Sequence, residues 1–236
     1  MYFKPTLLAS ALLFASLNVH AELTSYNPNG VELVYSSISD VTWTKDANLL
    51  ASLISSQGHS TIVDAIIAVT PTITNTPNVN SPLGIYTLSA ADFSENGRTS
   101  WWGALGFVNY LNSVSYGGSD QWRLPTVATS SDEFPELFFQ ELGGTAWRPI
   151  PNTATFDNEQ SYTYWSGAEY SSVPSVFAWV FGNHNGFQGY GLKEDQRYAW
   201  VVTSGLVAAV PEADIYAMLL VGLGLLGAVM RRRHAK

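Results

Sequence analysis

Glu169, Asn183 and Asn185 carry the oxygen donors that a calcium ion prefers, and they lie close in sequence to the apolar runs around Trp165 and Trp179. Trp147, Phe187 and Tyr190 are aromatics set among polar residues, where a flat exposed ring beside amides and carboxylates could stack on a sugar. Each group has a plainer reading. Asn183-His184-Asn185-Gly186 suits a tight hairpin turn in which Asn and Gly take positive φ, and most aromatics belong in a core. Catalysis has less to work with. Between residues 22 and 209 the histidines are His59 and His184, on an expected loop and an expected turn, with no Gly-x-Ser-x-Gly or His-Glu-x-x-His element. The acid pairs Asp132-Glu133 and Glu194-Asp195 sit in polar stretches that would solvate them, so two carboxylates flanking a cleft are the remaining route to hydrolysis. Arg123 reads as an ion-pair partner for a carboxylate at the edge of the core, Asp46 or Asp120, because its planar fork satisfies several acceptors at once. A non-enzymatic protein is expected.

The elements that must hold these residues are short. Apolar runs broken by Gly, Ser and Asn predict strands at 31–35, 38–43, 121–124, 162–165, 178–181, 186–190 and 198–202, the last four spaced for an antiparallel meander. Trp101, Leu105, Val108 and Leu111 recur at helical spacing behind Thr99 and Ser100, either of which could cap the helix. Pro135 and Gly143 bracket a second helix over 136–142, and a third, shorter one starts near Asp46. Residues 57–96 contain the run Thr70-Pro71-Thr72-Ile73-Thr74-Asn75-Thr76-Pro77 and read mostly as an inserted surface loop.

The chain has 236 residues with 19 acidic and 11 basic side chains. Its ends hold Glu212 and Asp214 but also Lys4, Arg231, Arg232, Arg233 and Lys236, which leaves the middle at about −11. Such a surface repels nucleic acid and other polyanions and suits neutral sugars or divalent cations. There is no cysteine, so packing must hold the core, and the eight tryptophans supply it.

The ends carry a different message. Lys4 precedes an apolar run from Leu7 to Leu17 and then Val19-His20-Ala21, the pattern of a secretory signal peptide over residues 1–21. That run is about 11 residues, short of the ~20 that span a bilayer. At the other end Val210-Pro211-Glu212 leads into an apolar, glycine-containing stretch over 215–230, followed by Arg231-Arg232-Arg233. At ~1.5 Å per residue this expected helix is ~24 Å long, enough to cross with local thinning, and the arginines place its end in the cytoplasm. The tail, residues 210–236, resembles the PEP-CTERM sorting signal, with Ala213 standing where that signal usually has proline. The resemblance implies an exosortase-type sorting protease as partner. It also implies membrane attachment before processing, and release to the envelope or extracellular matrix afterwards.

Several middle segments match a second pattern in order. They include Val41-Thr42-Trp43-Thr44-Lys45-Asp46, Asp120-Gln121-Trp122-Arg123-Leu124-Pro125-Thr126, Tyr164-Trp165-Ser166-Gly167-Ala168-Glu169-Tyr170, and Tyr198-Ala199-Trp200. Together they resemble the Lcl C-terminal domain, here over residues 22–209. That resemblance implies an α+β fold with a C-type-lectin-like arrangement of short antiparallel strands and two or three helices, and adhesion to glycans in some members. The related fold also carries formylglycine-generating enzymes, which depend on cysteines absent here. The expectation is an exported carbohydrate-binding or adhesion module, with polysaccharide as ligand and no cofactor unless calcium. The alternative is a structural matrix component without a specific ligand.

Overall fold

The computed structural model describes residues 23–74, 76, 84–149 and 154–209. The expected signal peptide, the helix over 215–230 and the sorting residues Val210, Pro211, Glu212, Arg231, Arg232 and Arg233 lie outside them. No helix among the described residues is long and apolar enough to cross a membrane.

The fold is α+β. Strands β1 (Leu23–Tyr26), β2 (Leu33–Ser36) and β3 (Val41–Thr44) form an antiparallel meander, and the last strand, β9 (Val202–Ser204), pairs with β3 to give the order β1-β2-β3-β9. Between them come α1 (Leu49–Gln57), α2 (His59–Val69), the short pair β4 (Thr72–Ile73) and β5 (Tyr86–Thr87), α3 (Trp101–Ser113) and α4 (Glu133–Glu136). Helix α4 runs on into a π-helical turn, Leu137–Glu141. A second antiparallel meander follows, β6 (Thr163–Glu169), β7 (Phe177–Gly182) and β8 (Phe187–Leu192). The segment after β8 ties the two sheets together, because Trp165 donates to the Tyr198 carbonyl and Thr44 to the Val201 carbonyl.

Helix α3 begins where its sequence requires. The Ser100 hydroxyl accepts the Gly103 N–H at 3.1 Å, satisfying one of the free donors of the first turn. Its buried face, Trp101, Ala104, Phe107, Val108 and Leu111, packs on α2. Gly106 permits this approach: a Cβ there would sit 2.6 Å from Leu88 and 3.3 Å from Ile66.

The inserted loop expected over 57–96 is therefore corrected. Helix α2 buries Ile62, Val63 and Ile66 in the principal core, and the stretch after it carries the short β4-β5 pair. Its apolar residues recur at helical spacing directly behind Gly58, a signal that the Thr and Pro of the following segment mask in a composition-based reading. The strand expected at 121–124 reduces to one bridge, Arg123 with Val202. Helix α4 starts three residues earlier than predicted, with Pro135 still in the first turn and Gly143 at φ +67° beyond the end.

The β6-β7-β8 sheet lies between two apolar clusters, as strand alternation dictates. Trp165, Ala178 and Val180 face the α1-α2-α3 side, while Tyr164 and Phe181 face Phe134, Phe138, Trp43 and Trp200. At the edge of the second cluster, both Glu141 carboxylate oxygens are buried, with only weak, poorly aligned contacts to Ser36 and the Ile38 backbone. Burial pushes this carboxyl above its ordinary range and the charge of Glu136 adds to the rise, with Ser36 and the Ile38 backbone offsetting only part. A carboxyl whose folded pKa is raised destabilises the fold once it ionises, so its contribution worsens as pH rises through the folded value. Glu141→Gln should accordingly raise the melting temperature at pH 7, and the gain should vanish as pH falls below the unfolded carboxyl range near about 4. Melts of both proteins across pH 4 to 8 check this.

Candidate functional site

The β7-β8 hairpin carries two exposed aromatic side chains, Phe187 and Tyr190. On β7 and β8, residues directly opposite share a face, so Trp179 with Tyr190 and Phe177 with Leu192 project to one side. Near the turn that side is covered by the α4 cluster through Phe181. Farther along it is open. There Tyr170 stacks on Tyr190 with ring centroids 4.2 Å apart and meets Trp179 edge-on at 5.3 Å, while Phe177 meets Tyr190 at 5.0 Å. Tyr190 is 50% exposed, with Val173 and Leu192 also exposed at the rim. Tyr170, Phe177 and Trp179 were not singled out from the sequence. The alternation Phe177-Ala178-Trp179-Val180, set opposite Gly189-Tyr190-Gly191-Leu192, is the signal that could have found them.

A second aromatic group sits at the turn. Trp147 is 77% exposed, holds a left-handed backbone at φ +65°, and donates its N–H to the Asn185 carbonyl at 2.8 Å. A bulky residue rarely takes that conformation, so the surrounding structure imposes it. The Phe139 ring closes on Gly186, where a Cβ would lie 2.7 Å from it. Phe187 is also exposed, its ring lying over Gly189. The structure thus brings Trp147 and Phe187 to one turn and separates both from Tyr190. Phe187 and Tyr190 are three residues apart on β8 and point to opposite faces.

The calcium set does not assemble. Glu169 pairs with Ala178 at one end of the β6-β7 ladder, whereas Asn183 follows Gly182 at the other, about 16 Å away along the strand. Glu169 accepts a 2.6 Å ion pair from Lys193, whose buried ammonium lies 4.4 Å above the Trp101 ring. Burial pulls the Lys193 ammonium below its ordinary range, and Glu169 opposes that shift. Asn183 is buried, with its N–H on the Tyr162 carbonyl, and Asn185 accepts the Phe187 N–H. These are turn contacts. No group of three His, Cys, Asp or Glu residues among the described residues could hold a metal ion.

Two other expectations change. Arg123 pairs with Glu133, not with Asp46 or Asp120, and Glu133 is buried rather than solvated. Asp46 instead accepts the Asn48 N–H and the Ser52 hydroxyl at the start of α1. His59 sits at the start of α2 with its Nε2 3.2 Å from the Phe93 carbonyl, and His184 lies in the β7-β8 turn.

These elements coincide with recognisable sequence units. Residues 209–233 match the PEP-CTERM protein-sorting motif, the signal read by exosortases, which marks the chain for export and for membrane anchoring before processing. Residues 32–203 match the Lcl C-terminal domain. No curated protein and no solved structure matches the chain. The match to residues 32–203 runs from β2 into β9 and takes in all the helices and the aromatic hairpin, and on that extent the chain belongs to the Lcl C-terminal domain family.

Proposed function

We propose that this domain is a carbohydrate-binding or adhesion module of the cell surface or extracellular matrix, acting by binding and not by catalysis. The observation that carries the reading is Trp147, a large apolar ring displayed to solvent in a strained backbone and pinned to the β7-β8 turn. Left-handed backbone at such a residue costs about 1 to 3 kcal/mol, and strain of this kind concentrates where a ligand is held. The Tyr170, Trp179 and Tyr190 surface on the same hairpin offers a second contact for an extended chain. The acidic balance of the domain favours a neutral polysaccharide over a polyanion. A lectin-like arrangement of the strands belongs to this proposal.

Stacking needs no metal, and Glu169 is already engaged by Lys193. Binding should therefore survive a chelator and fall when the rings are removed. Trp147→Ala should weaken binding of the producing organism's exopolysaccharide by about ten-fold or more, the effect of losing a contact worth roughly 1.4 kcal/mol, without changing the melting temperature by more than a degree or two. Isothermal titration with and without EDTA reads both. An absence of heat at millimolar sugar would leave the structural-matrix reading.

A further inference from the structure

We infer that the face from which the C-terminal segment leaves the domain is a docking surface for the sorting protease itself. The segment is fastened down as far as Val207, with one longer contact at the exposed Ala208. Gly205 N–H donates to the Asp40 carbonyl at 2.8 Å and its own carbonyl accepts the Thr42 hydroxyl at 2.7 Å. Val207 N–H reaches the Tyr26 hydroxyl at 3.0 Å, and Asn29 bridges the Gly117 and Ala208 carbonyls. The Val207 side chain packs against the principal core. The sorting motif starts at residue 209, only two residues beyond the firmly held Val207.

Chain geometry then decides the encounter. Pro211 follows Ala209 by two residues, at most about 7 Å of extended chain. A protease that cuts there must lie against the domain, because a tether shorter than a side chain's reach cannot hold two folded bodies apart. The face it meets is not flat. A cleft of about 510 Å³ opens beside the exit, with Leu206, Asp120, Gln121 and Ser204 among the residues that line it. Leu206 is 62% exposed although its neighbours in the strap are held down. An exposed leucine next to an acid and an amide suits an extracytoplasmic loop of the protease that presents an apolar side chain and a hydrogen-bond donor. The recognised unit is thus the motif together with the domain face. The inference rests on the sorting motif and is independent of the carbohydrate reading.

Pulse-chase of the full chain in cells that hold the sorting protease, read by the mass lost with the tail, tests it. Leu206→Asp and Asp120→Arg should each slow tail removal by about five-fold, as loss of a contact worth roughly 1 kcal/mol would, while melting temperatures stay unchanged. A roughly 12-residue Gly-Ser linker placed between Ala209 and Val210, about 20 Å in r.m.s. length, should uncouple the domain, so that the same substitutions no longer matter. Wild-type processing rates for both face variants would overturn the proposal. Faster processing of the linker variant would overturn it too, by showing that the face hinders the protease. Retention of the tail by the wild-type chain is a separate result, which would remove the sorting assignment along with the docking surface.

Discussion

Trp165→Ala lowers the melting temperature of the domain by roughly 10 to 15 °C and leaves a large fraction of it unfolded under mild denaturant. Trp165 is completely buried between the β6-β7-β8 sheet and α3. Its indole N–H donates to the Thr99 carbonyl at 2.8 Å, and the Arg197 guanidinium sits 5.3 Å from its ring. Truncation to alanine opens a cavity and removes one of the two hydrogen bonds the Thr99 carbonyl accepts, the other coming from the Arg197 N–H, a combined loss of about 3 to 5 kcal/mol, against a total stability of about 5 to 15 kcal/mol for a domain without disulfides. At roughly 3 °C per kcal/mol for this size, the shift follows. Trp122→Ala should behave alike, because Trp122 is buried and donates to the Tyr116 carbonyl at 2.9 Å. Near-UV circular dichroism melts of Trp165→Ala beside Trp147→Ala make the comparison. A shift of a degree or two at Trp165 would contradict its place in the core.

Glu133→Ala should cost a further large amount, about 3 kcal/mol, for a different reason. The Glu133 carboxylate accepts both arms of the Arg123 guanidinium, one of them at 2.8 Å, and also the Thr126 N–H at 2.9 Å. In return the Glu133 N–H donates to the Thr126 hydroxyl, so that the Trp122 to Thr126 segment and the start of α4 are clasped together. Removing the acid leaves a backbone donor without its acceptor and a half-buried guanidinium with only the Leu124 carbonyl at 3.4 Å, which costs far more than the pair itself contributes. The pair holds the guanidinium in its charged form: Arg123 is shifted above its ordinary range, by the Glu133 hydrogen bond first. A double replacement, Arg123→Met with Glu133→Leu, should therefore be less damaging than the sum of the two single losses. Urea titrations of the three variants test this, and strict additivity would show that the two side chains do not depend on each other.

What the sequence made legible was decided locally. Ser100 announces α3 because a hydroxyl at that place satisfies the first turn. Gly143 ends α4 because φ is positive there. Three strands of the expected four-strand meander, β6, β7 and β8, show in their turn residues, whereas the fourth shrinks to β9 and joins β3 in the other sheet. What stayed hidden needed partners distant in the chain. Glu133 and Arg123 are ten residues apart and meet only because α4 begins early, which turns an acid in a polar stretch into a buried one. Glu169 and Asn183 look near each other in sequence, yet a hairpin ladder carries them to opposite ends. Phe187 and Tyr190 illustrate a signal present but unused: an odd spacing on one strand places them on opposite faces. Helix α2 was obscured by the composition of the segment that follows it.

The closing of the first sheet by the last strand sets an order of events during export. Thr42 and Gly205 meet across 163 residues, and Trp200 reaches the Thr44 carbonyl across 156. A chain that crosses the membrane from its N-terminus delivers β1, β2 and β3 first, and these strands must then wait with an open edge until nearly the whole domain has followed. Contacts so remote in sequence are slow to form, and the waiting edge invites pairing with other chains. For an exported chain, completing translocation would then compete with mispairing of that edge, and shielding of the early strands would favour the folded product.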